Sequence, residues 1–398
     1  MGKKSLILLL VVLLTIASLL MFYDSQHQKE PPIRTTLFIS QHQKEPPNQK
    51  EPPKQTALFI SSIDTMKESK DTDSSTRQLT EGQIANDIEL SASLNANYIT
   101  VDTHYNEDTY MARWVQAIRA TGKHVWFRPS FVEWGTQDNG IMTPAMYLSR
   151  LRTFILTHAS LFQPGDVFDE NAEPENGLYW AATYGANWSN QAPNKATDDF
   201  NSFLVGLTDT ADQTFRPLGI KGVITTVHST DPWTAEHPEI LYPSTVQRMG
   251  QLVTVDAYPD ENTTNPSTAA NAWLQQLMSI HAARPTARIL IGEMGYSNKI
   301  NVDDTTQAKV LEEELNALSS VPYLIGVNYW VGAGTDTSGG YTHIFTGHTG
   351  HWSFRSAAYV LASFYSKMQM IDHSPTRILP MASPTQRGSS EKPDQVRA

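Results

Sequence analysis

The polarity of this chain changes its period twice. An uncharged run spans Ser5 to Tyr23, and a polar, proline-rich stretch follows it to about residue 55. From Leu58 to about Met368, short apolar segments alternate with segments of helical periodicity. Leu58–Ser61, Tyr98–Thr103, His124–Arg128, Val167–Asn171, Gly222–Val227, Leu252–Ala257, Ile289–Gly292 and Leu324–Tyr329 read as strands. Several are near-continuous apolar runs, as parallel strands covered on both faces require. Helical signals fall between them. Thr80-Glu81-Gly82-Gln83 has the form of a capping box, Thr143-Pro144 fits an N-cap followed by proline, and Gly122 fits the stop after Met111–Thr121. Ala270–Ala283, Thr305–Leu318 and Ser356–Met368 carry helical periodicity too. Eight such units over about 310 residues predict an α/β fold, a (β/α)₈ TIM barrel. An open doubly wound sheet fits less well, because no glycine-rich phosphate turn follows the first strand.

The ends of the chain read differently. Lys3 and Lys4 precede the 19 uncharged residues of Ser5–Tyr23, close to the ~20 that cross a bilayer as a helix. No small-x-small cleavage site follows, so residues 1–24 are expected to be an uncleaved membrane anchor in preference to a cleaved signal. The lysines put the bulk of the chain outside, at the cell surface or secreted if the segment is removed. Residues 25–55 repeat Gln-His-Gln-Lys-Glu-Pro-Pro at Gln26 and Gln41 and read as a stiff stalk. The barrel is assigned to 56–372, and the polar, proline-rich 373–398 to a disordered tail.

Composition narrows the partners. A net charge of −11 argues against nucleic acid. There is no cysteine, hence no disulfide and no lipid anchor on one. His343, His348 and His351 cluster, but their spacing matches no standard zinc motif, and no cofactor is expected.

Two glutamates end apolar runs. Glu173 follows Val167-Phe168-Asp169-Glu170-Asn171-Ala172, and Glu293 follows Ile289-Leu290-Ile291-Gly292. A carboxylate where a buried strand stops is costly unless it is paired or functional. The two lie 120 residues apart, at the ends of strands four and seven, a separation that fits three strand–helix units. Two carboxylates over one substrate are what glycoside hydrolysis needs. Other strand ends add Asp102, His104 and Tyr105, Arg128, Asn171, His228, Asp256 and Tyr258, then Asn328, Tyr329 and Trp330; Glu133, Trp134 and Trp233 lie in the following loops. Aromatic faces suit sugar rings, while carboxylates and amides suit their hydroxyls.

With these residues the sequence resembles the clan A glycoside hydrolases, retaining (β/α)₈ enzymes, and looks closest to family 5 and its cellulase-like relatives over about residues 56–370. The resemblance implies that Glu173, in Glu173-Pro174, is the acid/base and that Glu293, in Gly292-Glu293, is the nucleophile. It implies that Tyr258 contacts the nucleophile, that Arg128 holds it ionised, and that Trp330 floors the sugar site. His104, Asn171, His228 and Trp233 join Arg128, Tyr258 and Trp330 as expected substrate contacts. Two positions depart from the pattern. Ala172 precedes the acid/base where the family has asparagine, and Asp256-Ala257-Tyr258 stands for the usual His-x-Tyr. The expected activity is retaining hydrolysis of a β-linked sugar. The alternatives are a surface-tethered barrel that binds polysaccharide or a partner without chemistry, and a barrel hydrolase of another mechanism.

Overall fold

Apolar strands need cover on both faces, and a barrel inside a ring of helices supplies it. The structure is a computed structural model. It describes residues 59–72, 77–105, 107–130, 142–190, 192–229, 238–258, 265–296, 303–334 and 342–372. The expected anchor, stalk and tail lie outside these residues, as do Glu133, Trp134 and Trp233. Among the described residues no helix is long and apolar enough to cross a membrane.

Strands β1 (Ile60–Asp64), β2 (Tyr98–His104), β3 (His124–Ser130), β4 (Val167–Ala172), β5 (Ile224–Ser229), β6 (Leu252–Ala257), β7 (Arg288–Met294) and β8 (Leu324–Tyr329) pair in chain order, all parallel. β8 closes on β1 with Ile60 opposite Gly326. Helices α1 (Met66–Ser69), α2 (Glu81–Ser93), α3 (Asp108–Ala120), α4 (Pro144–Thr157), α5 (Leu178–Tyr184), α6 (Lys195–Phe215), α7 (Pro243–Arg248), α8 (Pro266–Ala283), α9 (Asp304–Leu318) and α10 (Ser356–Asp372) follow the strands. A hairpin of β9 (Phe345–His348) and β10 (His351–Phe354) precedes α10. The expected barrel is therefore present. β1 starts and ends later than the apolar pattern suggests, because Ser61 and Ser62 interrupt that pattern without ending the strand.

The barrel interior changes character along its axis. At the N-terminal end, Ile60, Tyr98, Trp126, Val167, Leu252 and Leu290 form an apolar plug. One step on, Ser62 and Thr100 share a 2.8 Å hydrogen bond, and Thr100 donates to Asn328 at 2.8 Å. At the C-terminal end the interior is ionic: Asp64, Arg128, Asp169, His228, Asp256 and Glu293. The plug closes one mouth, so the chemistry is confined to the other.

The helix caps are local and legible. Thr80 and Gln83 form the full capping box on α2, and Thr143 accepts from the Met146 amide on α4. Each such cap contributes about 1 kcal/mol. Outside β4, Phe162 packs edge-on against Phe168 at 5.3 Å and against Phe215 of α6 at 5.0 Å. Pairs of this kind add ~0.5–1.5 kcal/mol beyond their burial, and these brace the strand that leads to Glu173.

One buried carboxyl lies away from the barrel mouth. Glu314 of α9 is 2% exposed and its Oε2 has no hydrogen-bond partner among the described residues. Burial pushes its carboxyl up from the ordinary 4.5 to about 8. A carboxyl raised on folding costs nothing below its unfolded value and progressively more as pH rises through its folded value. The domain is thus expected to lose stability between about pH 4.5 and pH 8, and Glu314→Gln to lose less of it. Urea denaturation of both proteins at pH 5 and pH 9 should show the variant gaining on the order of 3 kcal/mol relative to the parent across that interval. Parallel slopes would mean that the carboxyl ionises in the folded protein without penalty.

Candidate functional site

Glu293 reaches the barrel mouth through an irregularity in β7. Val255 of β6 pairs with Ile291 and Asp256 with Glu293, so β7 carries one extra residue there. Such a bulge re-aims a side chain. The extra position is occupied by Gly292, where a Cβ would lie 2.9 Å from the His228 ring and 3.0 Å from the Thr254 methyl. Only glycine allows this approach. Both Glu293 oxygens are engaged: Arg128 Nη2 donates to Oε1, and the Tyr258 hydroxyl donates to Oε2 at 3.2 Å. With two donors from different strands, the carboxylate orientation is fixed.

The donors are held in turn. Arg128 Nη1 donates to Asp64 Oδ2 at 2.7 Å. The same oxygen accepts from Asn328 Nδ2 at 2.9 Å, and Asp64 Oδ1 accepts from the Met66 amide at 2.7 Å. Asn328 also donates to the Gly292 carbonyl at 2.8 Å, which ties the bulge to the same network. Burial opposes a charge on Arg128, but Glu293, Asp64, Asp102 and Asp169 hold it protonated. Burial and then the charges of Glu293 and Asp256 push the Tyr258 phenol well above its ordinary range, so it remains a donor.

His228 has a different place from the one expected. It is fully buried, with Nδ1 2.7 Å from Asp169 Oδ2 and Nε2 2.5 Å from Asp256 Oδ1. Burial works against charge on the ring, yet Asp256 and Asp169 outweigh it and raise His228 well above the ordinary imidazole range. The expected direct contact with substrate is corrected: both ring nitrogens are committed to carboxylates beneath the cleft floor. Asp256, at the position where the family pattern has histidine, thus meets an imidazole from β5.

Glu173 enters from the opposite side. β4 carries one extra residue between Asp169 and Ala172, which pair with Thr226 and His228. Glu173 itself is in the left-handed region, at φ 53 and ψ 54. That conformation costs a non-glycine residue ~1–2 kcal/mol and is held by its amide, which donates to the His228 carbonyl at 2.6 Å. The bulge and the turn bring Asn171, Ala172 and Glu173 together to the cleft. Asp169, Glu170 and Glu175 are each at most 5% exposed, so the carboxyls on either side of Glu173 are buried.

Glu173, Glu293, Asn171, Arg128 and Trp330 line one cleft of about 500 Å³. Trp330 is half-buried, edge-on to Tyr258 at 6.3 Å, with its indole N–H donating to Met66 Sδ at 3.3 Å. Of the other expected contacts, Tyr258 reaches the site through Glu293, and His104 is half-buried at the end of β2, outside the cleft lining described. Trp233 lies outside the described residues. Asp64 and Asp169 were missed as site residues.

Two histidine groups bear on metal binding. His228, Asp256 and Glu293 each place one donor atom within 4.8 Å of the others. Those donors already serve carboxylate–imidazole and carboxylate–guanidinium bonds, so an ion there would have to displace them. His343 is buried and bonded to Arg355 at 3.0 Å, whereas His348 and His351 face each other across the exposed hairpin.

No family model matches the chain, and no curated protein matches it. Solved structures do. A β-glucuronidase from an uncultured Clostridium species matches with TM-score 0.53 and 14% identity, over 78% of this chain and 50% of that one. The GH5_18 protein of Streptomyces cattleya, in complex with GlcNAc, matches with TM-score 0.54 and 14% identity, over 75% of this chain and 77% of that one. A GH113 β-1,4-mannanase matches with TM-score 0.51 and 10% identity, over 78% of this chain and 99% of that one. This chain thus spans half the length of the β-glucuronidase. At such identities the likeness is one of fold, the closed eight-stranded (β/α)₈ barrel.

Proposed function

We propose that this chain is a retaining glycoside hydrolase acting on a β-linked sugar, with Glu293 as nucleophile and Glu173 as acid/base. One observation carries the reading. At the end of β7, Arg128 and Tyr258 both donate to Glu293, in the cleft that Glu173 enters from β4. Glu293 attacks the anomeric carbon while Glu173 gives a proton to the leaving oxygen; Glu173 then takes a proton from the water that releases the sugar. Trp330 offers a face for the sugar ring, and Asn171 an amide for its hydroxyls. The fold shared with a β-glucuronidase and a β-1,4-mannanase supports a β-linked substrate. On sequence grounds, the barrel works outside the membrane, tethered through residues 1–24.

The stereochemistry of the first product tests this. Proton NMR of aryl β-glycoside hydrolysis by the full chain should show the β-anomer of the released sugar before it mutarotates. The α-anomer first would mean inversion and would remove the covalent step. Glu173→Ala should lower kcat/KM for alkyl glycosides by about 10²–10⁴-fold and for activated aryl glycosides far less, since kcat/KM reports the first step and only the former need a proton on departure. Equal loss on both would take the acid role from Glu173. If no β-glycoside is cleaved, the tethered binding barrel becomes the better account.

A further inference from the structure

Lys70 stands on the cleft wall at the end of the four-residue helix α1. It is only 9% exposed, yet its ammonium meets no carboxylate, hydroxyl or carbonyl among the described residues. The other cations of the cleft are matched. Arg128 lies between Asp64 and Glu293. Lys67 is 3.6 Å from Asp71 and 5.6 Å from the centre of the Trp330 ring. An ammonium on the cleft wall with no counter-charge among the described residues can give a charge-assisted hydrogen bond to a bound anion.

Its place suggests which anion. α1 leaves β1, β1 pairs with β8, and β8 leads into Trp330, so Lys70 shares a wall with the ring on which a sugar would stack. The same cleft is lined by Asp71, Asp102, Glu173 and Glu293. These acids repel a multiply charged ligand, while one uncompensated ammonium balances one negative charge. We propose that Lys70 receives a single carboxylate on the bound sugar, so that the substrate is a β-linked uronic acid glycoside. This rests on the glycosidase reading and narrows it: a neutral hexose leaves Lys70 unpaired, whereas a uronate gives it a charge-assisted hydrogen bond.

The test pairs each 4-nitrophenyl β-uronoside (glucuronide, galacturonide, mannuronide) with the matching neutral β-hexoside, and adds a 6-sulfated β-glucoside. The full chain, Lys70→Met, Lys70→Arg and Lys67→Met are compared, and the free uronates and hexoses are titrated into the same proteins. The parent should prefer the uronoside in at least one pair. Lys70→Met should lower the uronoside-to-hexoside ratio of kcat/KM by about 10- to 100-fold, mainly through KM. Lys70→Arg should restore part of it, and Lys67→Met should move it less, its charge being already met by Asp71. Cleavage of hexosides with no uronoside cleaved, or a ratio unmoved in Lys70→Met, overturns the inference and leaves the glycosidase reading standing. A preference for the sulfate ester overturns the carboxylate assignment. If nothing is cleaved but the parent binds a uronate and Lys70→Met does not, the carboxylate site stands and the glycosidase reading falls. Neither cleavage nor uronate binding overturns both.

Discussion

Replacing Glu293 by alanine is expected to lower kcat/KM by about 10⁴-fold or more, and added azide should restore turnover and yield the α-glycosyl azide. The size follows from the role proposed for the residue: a nucleophile's loss removes the covalent intermediate and leaves positioning alone. The rescue follows from the geometry. Truncation at Cβ opens a space facing Arg128 Nη2 and the Tyr258 hydroxyl, the two donors that held the carboxylate. A small anion can enter that space and attack from the same side. The variant should fold, because Arg128 keeps its bond to Asp64 and Gly292 keeps its own to Asn328. Product identification by NMR checks both parts. A β-azide would show that the anion attacks from the other face and that Glu293 is not the nucleophile. Hydrolysis surviving at more than a few per cent would remove it from the mechanism.

The barrel was legible because its strands are nearly unbroken apolar runs. β6 and β8 fall where that pattern places them, since Asp256 and Asn328 each stand next to the last residue of their strand and leave the apolar run before them recognisable. β1 did not. Its sequence Ile60-Ser-Ser-Ile-Asp64 puts two serines in the run, and the apolar pattern ends the strand at Ser61. The serines are interior hydroxyls, with Ser62 bonded to Thr100, so polarity there marks the second layer of the barrel and not its surface. The rule that exposed Glu293, a carboxylate ending a buried strand, applies equally to Asp64 once the strand is extended. Asp169 lies inside the expected strand Val167–Asn171 and not at its end, so the strand-end rule passes over it, and only tertiary contacts with His228 and Arg128 mark it. The bulges in β4 and β7 leave no local mark beyond Gly292. That is why Ala172 looked like a departure, although Asn171 reaches the same cleft one residue earlier. The helix α5 left no signal in the sequence, because its seven residues are too few for periodicity to register.

The second large effect is expected from Arg128→Met, and it should appear in stability as much as in rate. Arg128 is 4% exposed and joins Asp64, Glu293 and, at 3.8 Å through Nε, Asp169. Removing it leaves Asp64 and Asp169, both essentially buried, without that cation. Breaking a buried pair from one side typically costs ~3–5 kcal/mol, because the remaining charge keeps its desolvation penalty and loses its compensation. Burial already pushes the Asp64 carboxyl up against the opposing pull of Arg128, so the variant should relieve itself by protonating Asp64 and should be least destabilised at acid pH. Asp64→Asn on top of Arg128→Met removes the orphaned charge while leaving the amide of Asn328 a carbonyl to bond. The double variant should therefore be less destabilised than the sum of the two single variants by roughly 1–3 kcal/mol. Activity should not follow. Glu293 loses its principal donor in both Arg128 variants, and kcat should fall by about 10²–10³-fold in each. Urea denaturation of the four proteins, with initial rates on one aryl glycoside, separates the two effects. Strict additivity in stability would show that Arg128 and Asp64 act on the fold independently. Recovery of kcat in the double variant would show that the arginine holds the barrel mouth together without serving Glu293.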